Sequence, residues 1–197
     1  MLQNSLPTDF KSKFYPVLNG LPQSQPTFYC DMDGVLANWD DAFNAAGINV
    51  EEFKGNPQGL WDHFLKSFDG GEGFYRNLAP YPGAFEFYHE VQNLVESNGY
   101  RFEILSATIK LVHVKTVRAE KEAWVADVLQ DPFTRVNLGP LAEHKWLWCR
   151  DSRDILLDDR MINISQWKKA GGIGILHTDF ESSLTQIHQL FKPQVLN

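Results

Sequence analysis

The chain has 197 residues, of which 43% are hydrophobic and 13% aromatic, so it is long enough to bury a core and is not a disordered chain. Its 25 acidic residues outnumber its 18 lysines and arginines, and the net charge of −7 argues against a general binder of nucleic acid or anionic membranes. The two cysteines, Cys30 and Cys149, lack metal-ligand spacing. The chain has no signal-peptide pattern and no apolar run of membrane-spanning length. Together with the small number of cysteines, this indicates that the protein resides in a reducing cytoplasm.

The first 26 residues are rich in proline, serine, glutamine and asparagine. This composition predicts a loosely packed leader at residues 1–26. The aromatic pair Phe14-Tyr15 leaves open whether the leader docks on the rest of the protein.

Five short β-prone runs follow, separated by polar or helix-patterned segments. They lie at residues 27–31, 100–107, 134–138, 154–159 and 172–178. Strands that alternate with helices are typical of a parallel α/β sheet. We therefore predict a Rossmann-like sheet of about five strands with helices on both faces.

Three segments have the apolar spacing of helices, at residues 84–97, 115–129 and 164–170. The first stops at Asn98-Gly99 and the last at Gly171-Gly172, and glycine at these positions is typical of a helix end. Each of the three precedes a predicted strand, as the alternating pattern requires.

The interval between the first two strands is much longer than a crossover helix needs, and it is dense in aromatic residues. We predict that residues 38–98 form a small helical cap, and that residues 27–37 and 99–197 form the core domain. Most of the aromatic side chains in the cap should pack against one another. We select Trp39, Phe43 and Tyr75 as candidates for stacking on a substrate.

Polar side chains occur at the ends of several predicted strands. They are Asp31 and Asp33 after the first strand, Ser106 in the second, and Asp158 and Asp159 at the end of the fourth. Ligands of open α/β sheets bind beyond these strand ends. Two carboxylates one residue apart in an extended strand point to the same side, and a third from a neighbouring strand completes an oxygen-rich site for Mg²⁺.

These residues lie in the segments DMDGVLA, ILSAT and LLDDR, with Lys145 between the last two. The order is that of the four motifs of the haloacid dehalogenase superfamily, which the chain resembles over residues 27–178. The same segments, with GFYRNLAPYPGA, are similar more narrowly to the 5'(3')-deoxyribonucleotidase branch and its phage and bacterial relatives. The chain differs from that branch in having Ser-Ala-Thr at residues 106–108 in place of Thr-Ser-Pro.

The resemblance implies that Asp31 is a nucleophile that becomes an aspartyl phosphate, and that Asp33 is the acid and base that serves the leaving alcohol and the water. Ser106 and Lys145 match the residues that hold phosphate. The metal-binding residues that it implies are Asp31, Asp33 through its main-chain carbonyl, and Asp158, with Asp159 beside them.

Plainer interpretations exist for some of these residues. Asp159 is equally well explained as a helix cap or a partner of the metal site. A lysine such as Lys145 before apolar residues is often a solvated end, although its place in the motif order favours phosphate binding. Arg160 more often pairs with Asp158 than with phosphate, and Lys110 is equally suited to phosphate and to solvent.

We therefore expect a cytoplasmic, Mg²⁺-dependent phosphatase whose leading substrate is a nucleoside 5'-monophosphate. One alternative is an enzyme for a sugar phosphate or for the end of a polynucleotide. Another is a non-catalytic binding or regulatory protein with the same fold, which the costly cluster of like charges disfavours. We expect neither a nucleic-acid polymer nor a membrane as partner. Formation of a homodimer is left as an open alternative.

Overall fold

The computed structural model describes residues 25–53, 56–67, 72–107, 114–139 and 142–192. They contain a five-stranded sheet in the order β3-β2-β1-β4-β5, in which all neighbouring strands are parallel. The strands are β1 at Thr27–Cys30, β2 at Arg101–Ala107, β3 at Val136–Gly139, β4 at Ile155–Asp158 and β5 at Ile173–Leu176. The predicted parallel α/β fold is confirmed. Of the predicted leader, all but residues 25 and 26 lies outside the described residues.

Six α-helices are present in the described part of the chain. They are α1 at Trp39–Ala45, α2 at Pro57–Ser67, α3 at Ala84–Ser97, α4 at Val114–Val128, α5 at Met161–Lys169 and α6 at Phe180–Leu190. Short 3-10 helices occur at Val50–Phe53, Tyr75–Asn77 and Ala142–Trp148. None of the described helices has the length and hydrophobicity needed to cross a bilayer.

The helix α6 at Phe180–Leu190 was not predicted, and among the three helices with predicted bounds the largest difference is at the start of α5. We expected this helix to begin at residue 164, but it begins at Met161. Met161 and Ile162 are exposed, so the first turn contributes nothing to the apolar stripe by which a buried helix is recognised. The strands and the helix α3 lie within a few residues of their predicted positions.

Alternate residues of the strands face two separate hydrophobic clusters, because side chains alternate between the faces of a sheet. Phe28 and Cys30 of β1 belong to the larger cluster, with side chains of α3, α4 and α6. Tyr29 of β1 belongs to the smaller one, which also contains Leu147 of the 3-10 helix Ala142–Trp148 and Trp167 of α5. Helices therefore cover both faces, as predicted.

The segment between β1 and β2 contributes a cluster of aromatic rings that continues the larger core. Phe43 stacks on Trp39 at 4.1 Å and on Phe64 at 5.3 Å between ring centroids, with Phe74 edge-on to both Phe43 and Phe64. The last helix of this segment, α3, packs on the sheet through buried side chains. The division of the chain into leader, core and cap stays a prediction.

The loop between α4 and β3 is tied to α3 by the carboxylate of Asp131. One of its oxygens accepts hydrogen bonds from Tyr88 Oη, Gln92 Nε2 and Thr134 Oγ1, at 2.9, 2.8 and 2.6 Å. The other accepts the backbone N–H groups of Phe133 and Thr134, both at 3.0 Å. Partial burial opposes ionisation of Asp131, but these hydrogen bonds outweigh it and lower its pKa from 3.8 to about 2.

Asp131→Asn should therefore destabilise the protein by on the order of 1–2 kcal/mol at neutral pH, after allowance for solvent screening. Because the pKa is lower in the folded state, the contribution is complete above the unfolded pKa of 3.8 and is lost as the pH falls towards about 2. Urea unfolding of the parent and the variant between pH 2 and pH 7 measures the difference. A difference that stays constant over this range would contradict the ionic role of Asp131.

Candidate active site

The turn after β1 places two carboxylates at the carboxyl edge of the sheet. The backbone N–H of Asp31 donates to Leu157 O at 2.9 Å and so prolongs the pairing of β1 with β4. The chain then turns at Gly34, whose φ of +80° favours glycine, and the N–H groups of Leu36 and Ala37 return to Met32 O. As a result Asp31 is buried, whereas Asp33 is partly exposed at the edge.

A buried lysine joins the ends of β1 and β4. Nζ of Lys145, from the 3-10 helix Ala142–Trp148, lies 2.5 Å from Asp31 Oδ2 and 2.7 Å from Asp158 Oδ2. Burial alone would lower the pKa of Lys145, but the two carboxylates outweigh it and raise the pKa. Burial raises the pKa of Asp31 well above its usual range, and Lys145 opposes that rise. The ammonium group is thus the main compensation for two carboxylates that are withdrawn from water.

Asp158 is held from several directions. Nδ2 of Asn163 donates to both of its oxygens, at 2.9 and 3.0 Å, and the backbone N–H of Arg160 donates to Oδ1 at 2.9 Å. Together with Lys145 these donors engage both carboxylate oxygens. Asp158 is therefore fixed in one orientation at the start of α5.

A second buried lysine, Lys121, pairs with Asp33. Nζ of Lys121, from α4, forms a short ion pair with Asp33 Oδ2 and donates to Ser106 Oγ at 2.7 Å. The ammonium lies 4.2 Å from the centroid of the Tyr75 ring, within the range of a cation–π contact. Burial lowers the pKa of Lys121, and Asp33 opposes that change. Oδ1 of Asp33 is buried and has no hydrogen-bond partner among the described residues.

Three carboxylates form a cluster with the spacing of a metal site. One oxygen from each of Asp31, Asp158 and Asp159 lies within 4.8 Å of the others. Asp159 is exposed as a whole residue, but desolvation of its carboxyl group and the neighbouring Asp158 raise its pKa to about 6. A Cβ added to Gly34 would come within 2.6 Å of Asp159 Oδ2, so this carboxylate occupies the space that glycine leaves. An all-oxygen donor set that repels itself suits a hard divalent cation.

The structure brings together most of the residues singled out from the sequence. Six of them share the carboxyl edge of β1, β2 and β4, namely Asp31, Asp33, Ser106, Lys145, Asp158 and Asp159. Arg160 is exposed and meets Asp158 only through its backbone N–H. Lys110 lies outside the described residues.

The three candidate stacking residues differ in their surroundings. Phe43 is fully buried among other rings, and Tyr75 is 3% exposed with its ring against Lys121. Trp39 is half-buried and stacks on Phe43. Contact between any of them and a substrate stays a prediction.

Sequence reasoning missed Lys121, as it missed Asn163 beside Asp158. A signal for it was present, because Lys121 follows Val117 by four positions and precedes Trp124 by three, which places it on the buried face of α4. A lysine on such a face requires a partner with negative charge. Its partner Asp33 is 88 positions away, so the sequence alone did not connect them.

Of the three comparisons with known proteins, the one with solved structures gives matches. No family model matches the chain, and no curated protein matches it. Among solved structures, the chain is similar to a hydrolase from Streptococcus pneumoniae TIGR4, with 15% sequence identity and a TM-score of 0.44. That match covers 84% of this chain and 97% of the other. It is a distant likeness of fold, so the functional argument depends on the site itself.

Lys145→Met should lower the free energy of unfolding by about 3–5 kcal/mol, because Asp31 and Asp158 would then face each other in a buried site without their cation. Urea unfolding at neutral pH measures the loss. Lys169→Met is a matched control at an exposed position of α5 and should change stability by less than about 0.5 kcal/mol. Equal effects of the two substitutions would contradict the compensating role of Lys145.

Proposed function

We propose that the protein is a Mg²⁺-dependent phosphomonoester hydrolase that forms an aspartyl phosphate on Asp31, and that its substrate is a nucleoside 5'-monophosphate. The observation that carries the proposal is the pairing of two carboxylates at the end of β1 with two separate buried lysines. Phosphoryl transfer depends on such positioning and charge stabilisation more than on any single reactive group.

Asp31 is suited to be the nucleophile. A carboxylate oxygen forms a bond to phosphorus while the bond from phosphorus to the alcohol oxygen breaks, and Asp33 gives its proton to that oxygen. Water then attacks the aspartyl phosphate and Asp33 takes a proton from it, so that inorganic phosphate leaves and Asp31 is restored. Asp33 Oδ1, which no described residue engages, is the oxygen available to carry the proton.

The cations and the hydroxyl group of the site are suited to hold the phosphate. Lys145 stands beside the nucleophile, whereas Lys121 and Ser106 stand beside the acid. Preorganised donors of this kind are most effective where water is excluded, and both lysines are buried.

The acidic cluster fits the proposed Mg²⁺. Following the family resemblance, we assign the ligand role to Asp31, to Asp158 and to the main-chain carbonyl of Asp33, and we add Asp159, whose carboxylate lies in the same cluster. The oxygens of both Asp31 and Asp158 also accept hydrogen bonds, and Asp158 in addition holds Lys145. When bound, the cation would offset repulsion between the carboxylates and a phosphate dianion.

The side chains beside the site favour a small substrate whose leaving alcohol carries an aromatic base. Trp39 lies close after the turn that follows β1 and is half-buried. Asp40 and Asp41 beside it are exposed, and their charge disfavours a second anionic group on the substrate. These features and the family resemblance favour a nucleoside 5'-monophosphate over a polynucleotide end.

Incubation with Mg²⁺ and a panel of phosphate esters tests the proposal. The parent should release phosphate fastest from nucleoside 5'-monophosphates. The same assay should compare deoxynucleotides, sugar phosphates and an oligonucleotide 5'-phosphate. Asp31→Asn should reduce turnover by at least about 10⁴-fold, because the nucleophile is lost. If the parent releases no more phosphate than Asp31→Asn does from any ester, the protein is not a phosphatase.

Thermal unfolding tests the metal site without reference to turnover. Mg²⁺ at 100-fold its Kd should stabilise the parent by about 2.7 kcal/mol relative to a sample in EDTA. Asp159→Asn should largely abolish this gain. Asp40→Asn, which neutralises an exposed aspartate outside the cluster, should keep the stabilisation by Mg²⁺. An unchanged gain in Asp159→Asn would remove Asp159 from the ligand set.

A further inference from the structure

Glu120 and Lys121 are consecutive residues of α4, and both side chains are buried. The carboxylate of Glu120 faces the segment before the 3-10 helix Tyr75–Asn77, where it accepts the backbone N–H of Gly73 at 2.8 Å and that of Tyr75 at 3.0 Å. Successive side chains of a helix point about 100° apart, so Lys121 faces the sheet instead. The same turn of α4 therefore contacts both the segment between β1 and β2 and the carboxyl edge of the sheet.

The Tyr75 ring completes the surroundings of the Lys121 ammonium group. An ammonium group has three N–H donors, and two of the directions around it are occupied by Asp33 Oδ2 and Ser106 Oγ. The face of the Tyr75 ring, 4.2 Å away, occupies a third. Because a lysine side chain has four flexible carbon–carbon bonds, its position depends on such contacts. The ring in turn depends on the backbone of residues 73–75, which Glu120 holds.

We propose that Glu120 is a positioning residue of the phosphatase: it holds the turn at residues 73–75 so that the Tyr75 ring keeps Lys121 against Asp33, in the orientation that protonates the leaving alcohol. This inference rests on the proposed function. The proposal connects the segment between β1 and β2 to Asp33 through the side chains of Tyr75 and Lys121. Glu120 then affects one step of the reaction, the protonation of the leaving alcohol.

The same segment has other attachments that do not pass through Glu120. Nε1 of Trp124 donates to Leu78 O at 2.7 Å, and Arg76 pairs with Asp127 at 3.2 Å on the surface. Loss of Glu120 should therefore leave the segment attached to α4 while releasing its first residues. The expected consequence is a shift of Tyr75 and Lys121 and a less well placed Asp33.

The leaving group distinguishes this role from a general structural one. 4-Nitrophenol is a much stronger acid than an alcohol, so 4-nitrophenyl phosphate needs little protonation by Asp33, whereas a nucleoside 5'-monophosphate needs it fully. In Glu120→Ala, kcat/KM should fall about 10-fold more for the nucleotide than for the aryl ester. Glu120→Gln keeps one acceptor oxygen and should lie between Glu120→Ala and the parent.

The ratio of the two kcat/KM values is measured in one sample of each variant, so partial unfolding cancels. Tyr75→Leu should reproduce the change in this ratio, Tyr75→Phe should lie closer to the parent, and Tyr75→Leu added to Glu120→Ala should have little further effect. Asp127→Asn, which breaks only the surface link, should leave the ratio unchanged.

Two results would overturn the inference. An equal loss for both esters in Glu120→Ala, which leaves the ratio at the parent value, would show a purely structural role, and parent-like kcat/KM values for both esters would show no role. Both leave the proposed function intact, because the parent still turns over both substrates. If the parent hydrolyses neither ester, the proposed function fails and the inference fails with it.

Discussion

The site depends on the neutralisation of carboxylates that the sheet brings together. With β4 beside β1, Asp158 meets Asp31 at the end of two adjacent parallel strands, away from water. Such an arrangement is stable only if a cation lies between them, and Lys145 supplies it. The 3-10 helix that carries Lys145 packs on the same face of the sheet as α5, so the smaller hydrophobic cluster also positions this charge.

The second carboxylate of the turn is neutralised from the opposite face. Lys121 is part of α4, whose apolar side chains Val117 and Trp124 belong to the larger cluster. The two lysines therefore reach the edge of β1 from different sides of the sheet, and each engages one carboxylate of the turn. This separation is consistent with different tasks for Asp31 and Asp33, because the two groups are held by independent parts of the core.

Much of this arrangement could be predicted from the sequence because it depends on local patterns. Buried parallel strands are short apolar runs, and Asp31, Asp33, Ser106 and Asp158 follow or end such runs. Lys121 could not be assigned in the same way, since its role requires a partner distant in the chain. Nor could the sequence show which groups engage Asp158: the donors come from Lys145, Arg160 and Asn163, and their convergence is a property of the fold.

The balance of charge gives a further reason for the proposed cation. Four carboxylates, Asp31, Asp33, Asp158 and Asp159, share the edge with two lysines, so the fully ionised cluster has a net charge of −2. A phosphate dianion would double that excess in a largely buried space, where unbalanced charge is most costly. One divalent cation would restore neutrality. Burial first, and then the neighbouring carboxylates, raise the pKa values of Asp31 and Asp159, and protonation is the other way to reduce the excess.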